Sequence, residues 1–182
     1  MTRWLSAALL ALTMLVSSGP AHAQNAALEA AVKATFLYRF ASFVEWPSGA
    51  FATPEEPIVL CVMGDRAFLG LLEEQIRGQA ISGRPLTARQ VANDGNITEC
   101  HVLYLRGGEQ ATAEALRTSR SLPILTVTDA DETRDLRGVI HFVIVENRVR
   151  FHIDDARAAE SGLNVSSRLL NLAVSVRRRA RV

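Results

Sequence analysis

His101–Thr128, HVLYLRGGEQATAEALRTSRSLPILTVT, decides the fold. His101–Leu105 is a short apolar run that reads as a strand. Glu109–Thr118 reads as a helix, and Ile124–Thr128 as a second strand. A helix between two strands carries the chain back over the sheet, so the strands lie parallel. Upstream the alternation repeats. Ile58–Met63 is a strand turning at Gly64-Asp65, and an amphipathic helix follows through Phe68, Leu71, Leu72 and Ile76, stopped near Gly78. Gly83-Arg84-Pro85 is a turn before a short strand at Leu86–Val91, and Asn93-Asp94-Gly95-Asn96 is loop chemistry.

Downstream, Asp129–Arg137 is a charged connection that reads as a solvated loop. Val139–Val145 and Arg148–Ile153 form a hairpin about Glu146-Asn147. In its second arm Val149, Phe151 and Ile153 face one way, and Arg148, Arg150 and His152 the other. Helices are expected at Asp154–Ser161 and Ser167–Val176, the latter capped by Ser166. At the other end Ala26–Trp46 has helical periodicity, with Val32, Phe36, Phe40 and Phe43 on one stripe, Leu37 and Val44 at its margin, and Thr35, Tyr38, Ser42 and Glu45 opposite. Pro47 ends that helix. The pattern predicts an α/β fold: a three-layer-like sandwich with a largely parallel central sheet and an antiparallel edge hairpin.

Before this domain lies a leader. Met1-Thr2-Arg3 is followed by an almost wholly apolar run, Leu5–Val16, then Ser17-Ser18-Gly19-Pro20 and the small-x-small triplet Ala21-His22-Ala23. The apolar run is shorter than the ~20 residues that span a bilayer, and reads as a cleaved secretory signal over residues 1–23. The mature chain, residues 24–182, is then one domain exported to the periplasm. The full chain carries 20 Lys+Arg against 19 Asp+Glu, a balance that argues against nucleic acid as a partner. In an oxidising compartment its 2 cysteines, Cys61 and Cys100, are expected to form a disulfide, the alternative being two inert buried thiols.

Motifs of catalysis are missing from the sequence. No G-x-S-x-G elbow, Walker A loop or G-x-G-x-x-G fingerprint is present, and the histidines lack metal-ligand spacing. The sequence therefore suggests no cofactor, no metal and no catalytic residue. Gly107-Gly108 reads as a plain turn, the acidic residues around Asp129–Asp135 as a solvated loop, and Arg177-Arg178-Arg179-x-Arg181 as a solvated terminus.

Several stretches resemble the YfiR family of periplasmic proteins. They are KATFLYRFASFVEWP at Lys33–Pro47, LCVMGD at Leu60–Asp65, GRPL at Gly83–Leu86 and CHVLYL at Cys100–Leu105. PILTVTD at Pro123–Asp129, RVRF at Arg148–Phe151 and GLNVSSRLLNLA at Gly162–Ala173 complete the set. The chain lacks the second cysteine pair of some relatives, carries Val139 where many have glycine, and has Asn164 and Ser166 where some have basic residues. The resemblance implies a non-enzymatic regulator that binds the periplasmic sensor domain of an inner-membrane diguanylate cyclase and represses it. It also leaves room for an outer-membrane releasing protein and for a homodimer. A small-ligand binder, an accessory to a sensor histidine kinase or a hydrolase on the same scaffold stays open. Candidate partner-binding residues are Tyr38 on the polar helix face and the row Arg148, Arg150 and His152.

Overall fold

The computed structural model describes residues 20–106, 108–129 and 136–179. Helix α1 (Pro20–Phe40) passes through a 3-10 turn, Ala41–Phe43, into strand β1 (Val44–Glu45). Strand β2 (Ile58–Met63), helix α2 (Arg66–Ile76), β3 (Ala80–Ile81) and β4 (Arg84–Val91) follow. Next come β5 (Val102–Leu105), α3 (Glu109–Thr118) and β6 (Leu125–Thr128), so the deciding segment is the β-α-β unit its sequence predicts. Strands β7 (Ile140–Val145) and β8 (Arg148–Asp154) form the hairpin. Its turn places Glu146 and Asn147 at φ 50° and 59°, the left-handed pair that suits a tight hairpin. The chain ends through α4 (Asp155–Glu160), β9 (Asn164–Val165), α5 (Ser167–Leu170) and β10 (Ser175–Arg177).

The large sheet has the order β10-β8-β7-β6-β5-β2-β4-β3, with β4, β2, β5, β6 and β7 mutually parallel. Every residue of β5 and β6 is buried, as strands covered on both faces must be. Leu60, Val62, Val102, Tyr104, Leu125 and Val127 belong to the core that includes α1 and α2. Cys61, Met63, Leu103 and Leu105 face the other way, with Ala115 and Leu116 of α3. The period-2 alternation of strands therefore builds three layers from two separate cores.

Two helix ends differ from the sequence expectation, and so does one buried face. Helix α1 ends at Phe40 rather than near Pro47, because Val44 and Glu45 pair antiparallel with Val165 and Asn164. The Ser166 N–H also donates to the Phe43 carbonyl at 2.8 Å. The expected helix Ser167–Val176 stops at Leu170, and β10 then runs parallel to β8, aligning Ser175 with His152. β-Branched Val174 and Val176 favour extension, and the Val174 N–H donates to the Phe151 carbonyl at 2.9 Å. The hairpin is consequently not the sheet edge at His152–Asp154. Arg148–Arg150 have no strand beyond them among the described residues.

The third correction concerns α1 itself. Its buried line is Lys33, Ala34, Leu37, Phe40, Ala41 and Val44 in the continuing turn, whereas Val32, Phe36 and Phe43 are half-buried. The stripe is thus rotated from Phe36 towards Leu37. Of the expected leader, residues 1–19 lie outside the described residues, and α1 runs through the expected cleavage point at Ala23-Gln24. Among the described residues no helix is long and apolar enough to cross a membrane.

Candidate functional site

The opening motif of α1 is a packing device with a charged centre. Phe36 and Phe40 stack at 5.8 Å, and Phe40 meets Phe142 of β7 at 5.6 Å and Phe151 of β8 at 5.0 Å. Such aromatic pairs add about 0.5–1.5 kcal/mol each beyond area burial. Lys33 is 3% exposed, and its Nζ donates to Asp129 Oδ1 at 2.6 Å and to the Glu29 carboxylate one turn back. The Tyr104 hydroxyl donates to Asp129 Oδ2 at 2.7 Å. Burial, with the Asp129 carboxylate adding to it, pushes the Tyr104 phenol far up, so the group stays a neutral donor. Asp129 is therefore a buried clasp between α1, β5 and the end of β6, not part of a solvated loop. The rest of the acidic stretch, residues 130–135, lies outside the described residues, as does Gly107.

The Trp-Pro and Cys-His pieces of the motif set meet each other. Trp46 Nε1 donates to the Pro123 carbonyl at 3.0 Å and packs edge-on to Phe51. The Val59 N–H donates to His101 Nδ1 at 3.1 Å, which leaves Nε2 to donate to the Ala50 carbonyl at 3.1 Å. His101 stacks on Phe51 at 4.3 Å, and the Arg84 guanidinium covers the other ring face at 3.8 Å. Burial lowers the His101 pKa, in keeping with a neutral structural imidazole. Cys61 and Cys100 form the expected disulfide within the α3-side core, with Cα atoms 5.7 Å apart. Ser166 caps α5 by accepting from the Arg168 N–H, as its sequence position predicts. Arg179 makes a two-pronged bond to Asp155 at 2.9 Å on both nitrogens, and Arg177 pairs with Asp154 at 2.8 Å. Arg177 and Arg179 thus tie the tail to Asp154 and Asp155 while staying exposed, and Arg181 lies outside the described residues.

The candidate partner residues do not form one patch. Tyr38 is half-buried against the α1-side core, and the neighbouring Arg39 Nε donates to its hydroxyl at 3.4 Å. Its ring is shared between that core and the face carrying exposed Arg39 and Ser42. Arg150 and His152 point away from the Phe151 core, so they lie on the opposite side of the sheet. Within the row their settings diverge. Arg148 lines a groove at the hairpin tip together with Leu28 of α1, which is 64% exposed, and Ile144, which is 41% exposed. Arg150 is exposed, and His152 belongs to a second cavity, its Nδ1 2.6 Å from the Ser175 hydroxyl. Burial, then the Arg137 charge, lowers the His152 pKa.

Sequence reasoning missed three features here: the Lys33–Asp129–Tyr104 cluster, the apolar groove beside Leu28, and His141. The last is 3% exposed on β7, with Nδ1 3.0 Å from Thr128 Oγ1. The Gly138 N–H donates to that same oxygen at 3.0 Å. Burial, reinforced by Arg137 and His152, pushes its pKa down to about 4. A lysine inside an apolar-spaced helix was the one available signal, at Lys33. The described residues contain no cluster of three or more metal-ligating side chains.

No curated protein matches the chain. The profile of the YfiR/HmsC-like family matches residues 30–174, from the middle of α1 to the residue before β10. That span takes in the Lys33 clasp, both cysteines, the hairpin and the Ser166 cap, and the chain belongs to the YfiR/HmsC-like family.

Proposed function

We propose that this protein is a periplasmic, non-enzymatic regulator that binds the periplasmic sensor domain of an inner-membrane diguanylate cyclase and holds that enzyme inactive. The match to the YfiR/HmsC-like family over residues 30–174 carries this reading. The secretory leader read over residues 1–23 supports the compartment. The mechanism is a population shift: the regulator prefers the inactive conformer of its partner, and removal of the regulator by an envelope cue releases activity. Moving the partner from 1:99 to 99:1 requires a differential affinity of about 5.5 kcal/mol.

The dock we assign is the hairpin tip. Exposed Leu28, Ile144 and Val145 supply apolar contact there, and Arg148 and Arg150 supply charge at an edge without a neighbouring strand among the described residues. A partner with an apolar centre and an acidic rim complements it. Crosslinking in the intact envelope tests the reading, with a photoreactive residue placed at Ile144 and the adduct identified by mass. A covalent adduct with the periplasmic segment of a membrane cyclase is expected. Adducts confined to transporters or soluble enzymes would contradict it.

A further inference from the structure

On the sheet face opposite α1 lies an open cavity of about 550 Å³ between β7, β8, β10 and α4. Its charged lining is one-sided. Arg120 from the turn after α3, Arg137 from the approach to β7, Arg157 from α4 and Arg177 from β10 face Asp154 alone. The chain as a whole carries 20 basic residues against 19 acidic ones, so four arginines to one carboxylate is a local concentration. Asp154 is shared by Arg177 at 2.8 Å and Arg157 at 3.8 Å. Among the described residues no carboxylate pairs with Arg120 or Arg137, and the Arg137 Nε is buried without a hydrogen-bond partner.

We propose that this cavity is a binding site for the phosphate-type dianion of a small ligand. Guanidinium forks match oxyanions with paired N–H donors, and four of them on four separate segments surround a tetrahedral group better than a planar one. His141 and His152 lie side by side on β7 and β8 with rings 6.5 Å apart, and with Ser175 they add neutral polar contacts. Neutral imidazoles beside arginines leave the positive charge on groups that do not titrate near neutrality. The site is distinct from the hairpin-tip dock, and its occupancy does not depend on the identity of the regulated enzyme.

The test is titration calorimetry of the full mature chain with inorganic phosphate, phenyl phosphate and citrate at pH 7 and constant ionic strength. Phosphate and phenyl phosphate should bind, and citrate at least 10-fold more weakly. Arg137→Gln/Arg157→Gln should weaken binding at least 10-fold. Arg120→Gln/Arg177→Gln, which alters exposed side chains, should do the same if the first variant does not fold. Arg66→Gln/Arg77→Gln on and after α2 removes the same charge from elsewhere and should leave binding unchanged. Equal loss in that control, no binding by the wild type, or citrate binding tighter than phosphate would each overturn the assignment. Flotation with phosphatidylglycerol vesicles separates a lipid headgroup from a free ligand, and vesicle binding without soluble phosphate binding would overturn the small-ligand site.

Discussion

The two faces of the sheet use polar residues in opposite ways. On the α1 face the polar atoms are consumed internally: Lys33, Asp129 and Tyr104 satisfy one another beneath a layer of phenylalanines. On the other face, beyond the disulfide core, Arg137, His141 and His152 line an open cavity and Arg150 is exposed. The family's aromatic opening therefore builds the scaffold, while the less regular hairpin side holds the groups with capacity to bind. A buried, mutually satisfied cluster contributes to a unique fold, and an unsatisfied, accessible one offers interaction.

The sharpest challenge to this contrast is Lys33→Met. It strips the charge from a buried pair and leaves the Asp129 carboxylate facing apolar packing, so urea unfolding should show a loss of about 3–5 kcal/mol. A loss below about 1 kcal/mol would mean that the α1 face is no clasp. Next in size is Cys61→Ser/Cys100→Ser, which opens a link with a sequence separation of 39. Stability should fall by about 2–4 kcal/mol while partner affinity, measured well below melting, stays unchanged. Altered affinity would extend the binding role into the α3-side core.

The pH dependence probes the cavity face. His141 has a folded pKa near 4 against an ordinary value of 6.5, so the unfolded chain takes up its proton first. Its contribution is present above about pH 6.5 and is lost as the pH falls towards 4. His141→Asn should flatten the unfolding free energy over that window by roughly 3 kcal/mol at most, less where solvent screens the ring. An unchanged slope would show that the imidazole is not held neutral. Smallest is Ser166→Ala, which removes a cap and should cost about 1 kcal/mol without loss of regulation. Regulation lost with stability intact would instead favour a nucleophile at Ser166.

Much of the fold was legible because it is written in short-range patterns. The β5-α3-β6 unit, α2 with its stop at Gly78 (φ +72°), and the Glu146-Asn147 hairpin each follow from local periodicity and turn chemistry. What the sequence hid depends on distant partners. Val44-Glu45 is a strand because Asn164-Val165 is there to pair with it, and Val174–Arg177 extends because β8 leaves an edge open. The clasp was illegible for the same reason. Lys33 and Asp129 are 96 positions apart, and each taken alone reads as a solvated charge. The cavity draws its arginines from four segments, which no linear motif marks.

The central claim is repression by binding, and cyclic di-GMP tests it most directly. The nucleotide would be quantified in a strain lacking this protein and in that strain complemented with wild type or Arg148→Glu/Arg150→Glu. Deletion should raise the nucleotide, wild type should return it to the parental level, and the charge-reversed hairpin should return it incompletely despite normal folding and abundance. Unchanged or lowered cyclic di-GMP on deletion would contradict it.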